Sequence, residues 1–555
     1  MLSKRQRSSH WMGNRATLAL LLVLALVLVS CSSDSSDDTT TTAGGDGATT
    51  TTGGETTDTT EAPPPADEPE TLVVAVPSDV ANLDLGKETF FDEAAILSNV
   101  YDSLTMRGDD GSVQPGLATE WSLNEDGTEW SITLREGVLF HSGEEMTAAD
   151  VAYSMERHLD PDFPGNITTV SYGDLESVEI VDDYHIVVHL TEPNAQFMQG
   201  SPLFTPIVQA SIAEQQTTEE FGATAESVIG AGTGPYQVVS WQRDDQLVLA
   251  VNENYWNGVP EIENLIFRPI PDGAARTAAL LAGEADIISD LSVEQVDTLE
   301  GNPDVEARSV AGLERLRLVM NTNLEPFDSL EVRQAVNHAI DYDSIIDNLL
   351  LGYAERIALY GVPVEAGWNE TLVPYEYDPD LSRTLLADAG YPDGFEIDFY
   401  VRTNSPKAEE VGQAIAGMLA EVGITANVIA LPSNDFQELM VSKELPFGMT
   451  THNGGGQFHI QFGMNVIFNC AATAAHAQFY CNEEQTALID EGNALALTDT
   501  EASLQAYKDA EALCYEDHCH GPMYVLQSLY GANSALNWEP DAAGSLWMAE
   551  ATFGG

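Results

Sequence analysis

Basic residues are scarce in this 555-residue chain. Lys and Arg number 21 against 89 Asp and Glu, a formal net charge of −68, and only five of the cations are lysines. Such a surface repels phosphate backbones and anionic headgroups, which argues against nucleic acid as a partner. Cysteine is scarce too, five in all, with no Cys-x-x-Cys pair. Beyond the N-terminus no stretch reaches the ~18 uninterrupted apolar residues of a membrane helix. Catalytic signatures are missing as well: Gly-x-Ser-x-Gly, Ser-x-x-Lys, His-Glu-x-x-His and the P-loop are all absent, and no Gly-x-Gly-x-x-Gly follows the first strand. With so many carboxylates, acid pairs arise at any spacing by chance, so they carry no glycosidase reading.

What is present is organised from the first residues. Apolar residues make up 43% of the chain, enough for real cores. At ~150 residues per domain the length allows three or four domains. Lys4, Arg5, Arg7 and Arg15 precede an apolar run from Ala16 to Val29, too short to span a bilayer and right for a signal peptide over 1–30. The run ends Leu28-Val29-Ser30-Cys31, which resembles a bacterial lipobox and marks Cys31 for acylation. Two or more acyl chains hold a protein stably at a membrane where one does not. Residues 32–70 hold 12 Thr, 4 Ser and 10 acids, no basic residue, and no Leu, Ile, Val, Met, Phe, Tyr or Trp. Nothing there can offset ordering entropy, so residues 31–70 read as a disordered acidic tether reaching on the order of 35 Å. Outside the cell, the remaining Cys470, Cys481, Cys514 and Cys519 read as two disulfides. Short loops favour Cys470–Cys481 with Cys514–Cys519, one of three connectivities. A zinc site using His476, His518 or His520 beside these thiols is the alternative.

From Thr71 onward strands and helices alternate irregularly. Leu72–Val76 and Trp130–Leu134 read as strands. Glu93–Thr105 reads as one helix with Ala94, Ile96, Leu97, Val100, Tyr101 and Leu104 on a face. Thr147 and Asp150 form a near capping box. Asp182-Asp183 and Arg243-Asp244-Asp245 mark hairpin turns, and Val332–Ile340, Ala408–Val422 and Leu504–Cys514 read as amphipathic helices. The mixture argues an α/β fold with mixed sheets. Gly232-Thr233-Gly234-Pro235-Tyr236 reads as a hinge crossing, Arg333 as a salt-bridge partner, and His141 as structural for want of a catalytic partner.

Separated segments resemble, in order, the family 5 extracytoplasmic solute-binding proteins, the oligopeptide, dipeptide and nickel receptors of ABC importers. They are Pro115–Ala118 with Trp121; Leu134–Gly143 with Thr147–Val151, Ser154 and Arg157; Gly232–Tyr236 with Asn252–Trp256; Arg276 with Ala282–Ile287; Asn321, Pro326-Phe327, Val332–Val336 and Ala339–Asp341; and Tyr377–Pro379 with Leu385–Pro392. The resemblance implies a two-lobed, hinged periplasmic-binding-protein fold (type II, cluster C-like) with an extra subdomain on lobe one. Carried onto this chain, lobe one is 71–115, 232–312 and 520–555, the subdomain 116–231, and lobe two 313–519.

It also implies a solute receptor rather than an enzyme: a monomer, lipid-anchored outside the membrane, that closes on a peptide or similarly sized solute. It delivers that solute to ABC permease subunits driven by a cytosolic ATPase, with no cofactor and no resident metal. A signalling receptor on the same fold and a secreted hydrolase are the competing readings. Cleft-facing segments give Phe90, Phe91, Asn321, Tyr360, Trp368, His452, Asn453, Phe458 and Gln461 as candidate ligand contacts. In peptide-binding relatives an acid in lobe two meets the peptide amine, whereas Phe447–His459 contains no Asp or Glu. A buried ammonium without an anion is costly, so that stretch suits a neutral polar group, with His452 and His459 as the residues a metal chelate would meet.

Overall fold

The computed structural model describes residues 70–554, except 88–90, 109–111, 161–162, 164–174, 195–196, 199–205, 404–406, 453–457, 472–478, 497 and 542–543. The signal, Cys31 and the tether lie outside these residues. Among the described residues, eleven strands form one sheet that runs through both lobes. In lobe one, Thr71–Val76 lies parallel to Asn264–Pro269 and to Ile287–Ile288, and two further strands, Gln246–Val251 and Tyr236–Gln242, extend it antiparallel. In lobe two, Phe395–Arg402 lies parallel to Ile424–Leu431 and to Phe447–His452. A separate four-stranded antiparallel sheet, built from 118–134 and 175–190, forms the subdomain. Each region packs its own apolar cluster: Leu72, Tyr236 and Phe267 in lobe one, Leu318, Phe399 and Phe447 in lobe two, Ile132 and Val188 in the subdomain.

Two long antiparallel strands, Val305–Met320 and Gly521–Asn533, join the lobes. Their register runs from Val305↔Asn533 to Ala311↔Gln527, slips, and resumes at Arg315↔Val525. Three residues, Gly312–Glu314, therefore stand against Leu526 in a bulge where pairing with lobe one gives way to pairing with Phe447–His452. Bulges concentrate twist and interrupt the ladder, which makes this the place where the sheet bends. A Cβ on Gly312 would stand 2.5 Å from the Leu526 carbonyl oxygen. Gly312→Ala is expected to cost about 2 kcal/mol in denaturant unfolding, because backbone must move to admit the methyl. An unchanged midpoint would show that the bulge has slack.

That geometry corrects the hinge expected at Gly232–Tyr236. Gly234 N donates to Val100 O and Tyr236 N to Asn99 O, while His141 N donates to Gly232 O. The segment fastens the subdomain to lobe one. The same bonds end the expected 93–105 helix early: it spans Phe91–Leu97, since the carbonyls of Asn99 and Val100 are taken from outside. Asn99 also donates to Leu546 O at 2.8 Å. A second fastening is the buried pair of Arg157 with Asp84, at 3.0 and 2.8 Å. Burial pushes the Asp84 carboxyl up, but Arg157 and Lys87 outweigh it and hold it below the usual range. Arg333 likewise departs from expectation. It meets carbonyls instead of a carboxylate, donating to Phe327 O, Asp517 O and His518 O, and so ties its helix to the second lobe's C-terminal end.

Candidate functional site

Opposed residues of an antiparallel pair share a face. Arg315 stands opposite His452 and Arg317 opposite Thr450. Alternation sends Leu316, Leu318 and Met320 into the lobe-two core and leaves Arg315, Arg317 and Val319 on the other face. Over that face lie the segment Leu359–Trp368, the helical turns Gln461–Phe468 and the helix Thr500–Glu516. The result is a buried polar layer inside lobe two.

Arg315 is fully buried and makes a two-pronged ion pair with Glu365, Nη1 to Oε2 at 2.8 Å and Nη2 to Oε1 at 2.9 Å. Burial works against its charge, yet Glu365 more than compensates, and the Arg315 pKa stands above its ordinary value. Its guanidinium also lies 4.4 Å from the Tyr360 ring, and Nη1 donates to Tyr360 O at 3.0 Å. Tyr360 Oη in turn meets His452 Nδ1 at 2.6 Å. Thus a chain of contacts runs from the core of lobe two to His452, at the end of its strand.

Glu511 accepts from Tyr360 N at 3.1 Å and Gly361 N at 2.8 Å, while its Oε2 has no partner. Burial pushes its pKa up to about 7. A carboxyl raised in the folded state destabilises the fold once it ionises, so its contribution worsens from about pH 4.5 to about pH 7 and then levels. Glu511→Gln is expected to match the parent below pH 4.5 and to exceed it by about 3 kcal/mol above pH 7. Urea midpoints across that range check this; a gap that does not widen with pH would contradict it.

Apart from the two-strand crossing, two side-chain contacts between the lobes stand out among the described residues. The Arg107 guanidinium, from the lobe-one strand Thr105–Arg107, lies 4.5 Å over the Phe458 ring in lobe two. Burial lowers the Arg107 pKa to about 10, with Asp541 acting the other way. Phe458 holds a left-handed φ of 50° and is 8% exposed. The second contact is an ion pair between Lys407 and Glu294.

The expected ligand residues divide accordingly. Phe458 reaches lobe one through Arg107, while His452 is hydrogen-bonded within lobe two to Tyr360, which is 1% exposed. Trp368 is 36% exposed, on the same segment as Tyr360. Gln461 donates to Asn493 Oδ1 at 2.9 Å. Asn321 is a correction: its amide donates to Leu445 O at 3.0 Å and Lys443 O at 3.3 Å, and its carbonyl accepts from Asn323 N. It caps a turn and is 1% exposed, with no group left for a solute. Phe90 and Asn453 lie outside the described residues, and Phe91 is described only as backbone at a helix start.

The structure pairs Cys470 with Cys481 and Cys514 with Cys519, each with Cα atoms 5.1 Å apart. Cys514, Cys519 and His520 do bring donor atoms together, but as a disulfide the sulfurs offer no thiolate to zinc. His518 stacks on Tyr375 at 4.1 Å, and His476 lies outside the described residues. His459 Nδ1 accepts from Gln461 N at 3.1 Å, and burial lowers its pKa to about 4. His141 is equally structural: its Nε2 meets Gly234 O at 3.0 Å, and burial lowers it to about 4.

Sequence reading missed Arg107, Arg315, Arg317, Glu365 and Glu511. One signal was available for two of them: in Leu313-Glu314-Arg315-Leu316-Arg317-Leu318 two cations alternate with leucines, in a chain with few cations to place.

Comparison with known proteins places this geometry. Residues 112–473 match the model of the bacterial extracellular solute-binding proteins, family 5. The chain is similar to heme-binding protein A of Haemophilus influenzae, 30% identical over 73% of this chain and 77% of that protein. It is similar to the glutathione-binding protein GsiB of Salmonella typhi, 28% identical over 83% of this chain and 90% of that protein. Among solved structures, the Helicobacter pylori periplasmic binding protein DppA, in complex with the peptide STSA, superimposes with a TM-score of 0.72 at 24% identity, covering 87% of this chain and 98% of that one.

Proposed function

The chain belongs to family 5 of the bacterial extracellular solute-binding proteins, the receptors of ABC importers, and from that membership we propose its cargo, its anchor and its mode of action. The cargo is a short peptide or a peptide-derived solute of glutathione's size. The receptor is a monomer held to the outer face of the cell membrane through acylated Cys31, and it hands its cargo to a permease without making or breaking bonds in it. The observation that carries this reading is the pairing of a bulged two-strand crossing with lobe-bridging contacts at Arg107–Phe458 and Lys407–Glu294. A hinge of that kind bends about one axis, and a solute between the lobes favours closure only by binding the closed form better.

Relatives named for heme, glutathione and a bound peptide support an organic solute. The absence of an acid from Phe447–His459 favours recognition that does not depend on a free amine. The test is mass spectrometry of the protein purified from its host, followed by thermal unfolding with the retained solute, glutathione and a tetrapeptide. One retained organic solute that raises Tm and compacts the protein in solution scattering is the expected result. Steady consumption of that solute would overturn the receptor reading. Cys31→Ala is expected to release the protein from the membrane fraction.

A further inference from the structure

We propose that lobe two holds one small monovalent anion, of chloride's size, on the guanidinium of Arg317. Arg317 is 4% exposed, and its Nε and Nη2 are buried with no hydrogen-bond partner. Among the described residues no carboxylate forms an ion pair with it. The segments of lobe two outside the description, 404–406, 453–457, 472–478 and 497, contain no Asp or Glu, so none of them can supply the missing charge. In a chain with 89 acids, a cation is thus buried with no acid of the described residues against it.

The side chain faces a cavity of about 20 Å³. That is room for a single water-sized body, ~10–15 Å³ being enough for one, and too little for a carboxylate with its carbon skeleton. Apolar side chains including Val319, Phe468 and Phe479 line it, with His520 at its edge. His520 is 3% exposed, and neither ring nitrogen reaches a partner within hydrogen-bond geometry. Burial, with Arg317 beside it, lowers its pKa to about 3, so at neutral pH it is an uncharged ring with one N–H to donate. Arg317 keeps its charge: burial lowers its pKa only to about 10.

Two orphaned guanidinium nitrogens, with the His520 ring beside them, thus border a water-sized space walled largely by apolar side chains. A water would satisfy hydrogen bonds but leave the charge uncompensated in low dielectric, where it is most costly. A halide answers both. Metal ions fit poorly, because the fixed charge is positive and the neighbouring sulfurs of Cys514 and Cys519 are bonded to each other.

The experiment uses the whole chain. Thermal unfolding is followed in sodium chloride and in sodium gluconate at matched sodium concentrations, which separates anion binding from general screening of the acidic surface. Gluconate is too large for the cavity. A Tm higher in chloride than in gluconate, rising by an equal step for each tenfold increase in chloride, is expected. Crystals grown in sodium bromide should show an anomalous peak within hydrogen-bonding reach of Arg317 Nε and Nη2. Arg317→Met should abolish the chloride-specific step. Equal Tm in both salts, no bromide peak, or a step that survives in Arg317→Met would each overturn the proposal. If Arg317→Met does not fold, the bromide position in the parent protein decides.

Discussion

Glu365→Gln is expected to lower the stability of the protein by about 3–5 kcal/mol, the range for breaking a buried ion pair from one side. The substitution keeps size and one acceptor, so almost all of the loss comes from leaving Arg315 charged and unpaired. Both side chains of the pair are fully buried, so solvent cannot take over from either partner. Arg315 would keep its bonds to Tyr360 O and Leu313 O, but carbonyls do not cancel a full charge. Removing both charges together, as in Arg315→Met with Glu365→Gln, should recover most of the stability, because a buried pair gains little net over apolar groups of similar volume. Urea unfolding of the two single variants and the double closes the cycle. A single-variant cost below about 1 kcal/mol, or strict additivity, would show that water reaches the pair.

What could be read from the sequence was what depends on neighbours in the chain. The hairpin turn at Arg243-Asp244-Asp245 and the Thr147–Asp150 capping box need only a few consecutive residues and stand as read, and the turn expected at Asp182-Asp183 falls one residue later, at Asp183-Tyr184. The family, too, was legible, because its turns and apolar positions recur as short words in fixed order. What failed needed partners far away in sequence. The helix expected to reach Thr105 stops at Leu97 because residues 234 and 236 claim the carbonyls it would have used. Glycines at 232 and 234 looked like hinge freedom but are there because Val100 and its neighbours press against them; a Cβ on Gly232 would meet Val100 O at 2.2 Å. The bulge between the lobes depends on a register slip between strands that begin at Val305 and Gly521, and no local signal encodes it. Asn321 was misassigned for the opposite reason: it looked free only because the carbonyls that bind it, at 443 and 445, belong to a distant turn.

Arg107→Ala should weaken apparent affinity for the retained solute by roughly 30-fold, while changing the unfolding midpoint much less. The reasoning starts from what closure gains. A solute shifts the open–closed balance only through contacts that differ between the two forms, and apparent affinity scales with the population able to close. Arg107 and Phe458 come from different lobes, so their contact exists only when the lobes meet. A cation over an aromatic face contributes about 2 kcal/mol when desolvated, which corresponds to the 30-fold change. Phe458→Leu keeps apolar bulk and the backbone conformation but removes the ring face, so it should cost a similar factor. The double variant should then cost little more than either single one, since both remove the same contact. Arg107→Lys should fall between, because an ammonium keeps the charge without the planar stack. The loss should appear in faster release and leave association nearly unchanged, since the open form that captures solute does not contain the contact. Strictly additive losses would mean that each side chain touches the solute separately, and an unchanged affinity in Arg107→Ala would mean that closure draws on other contacts altogether.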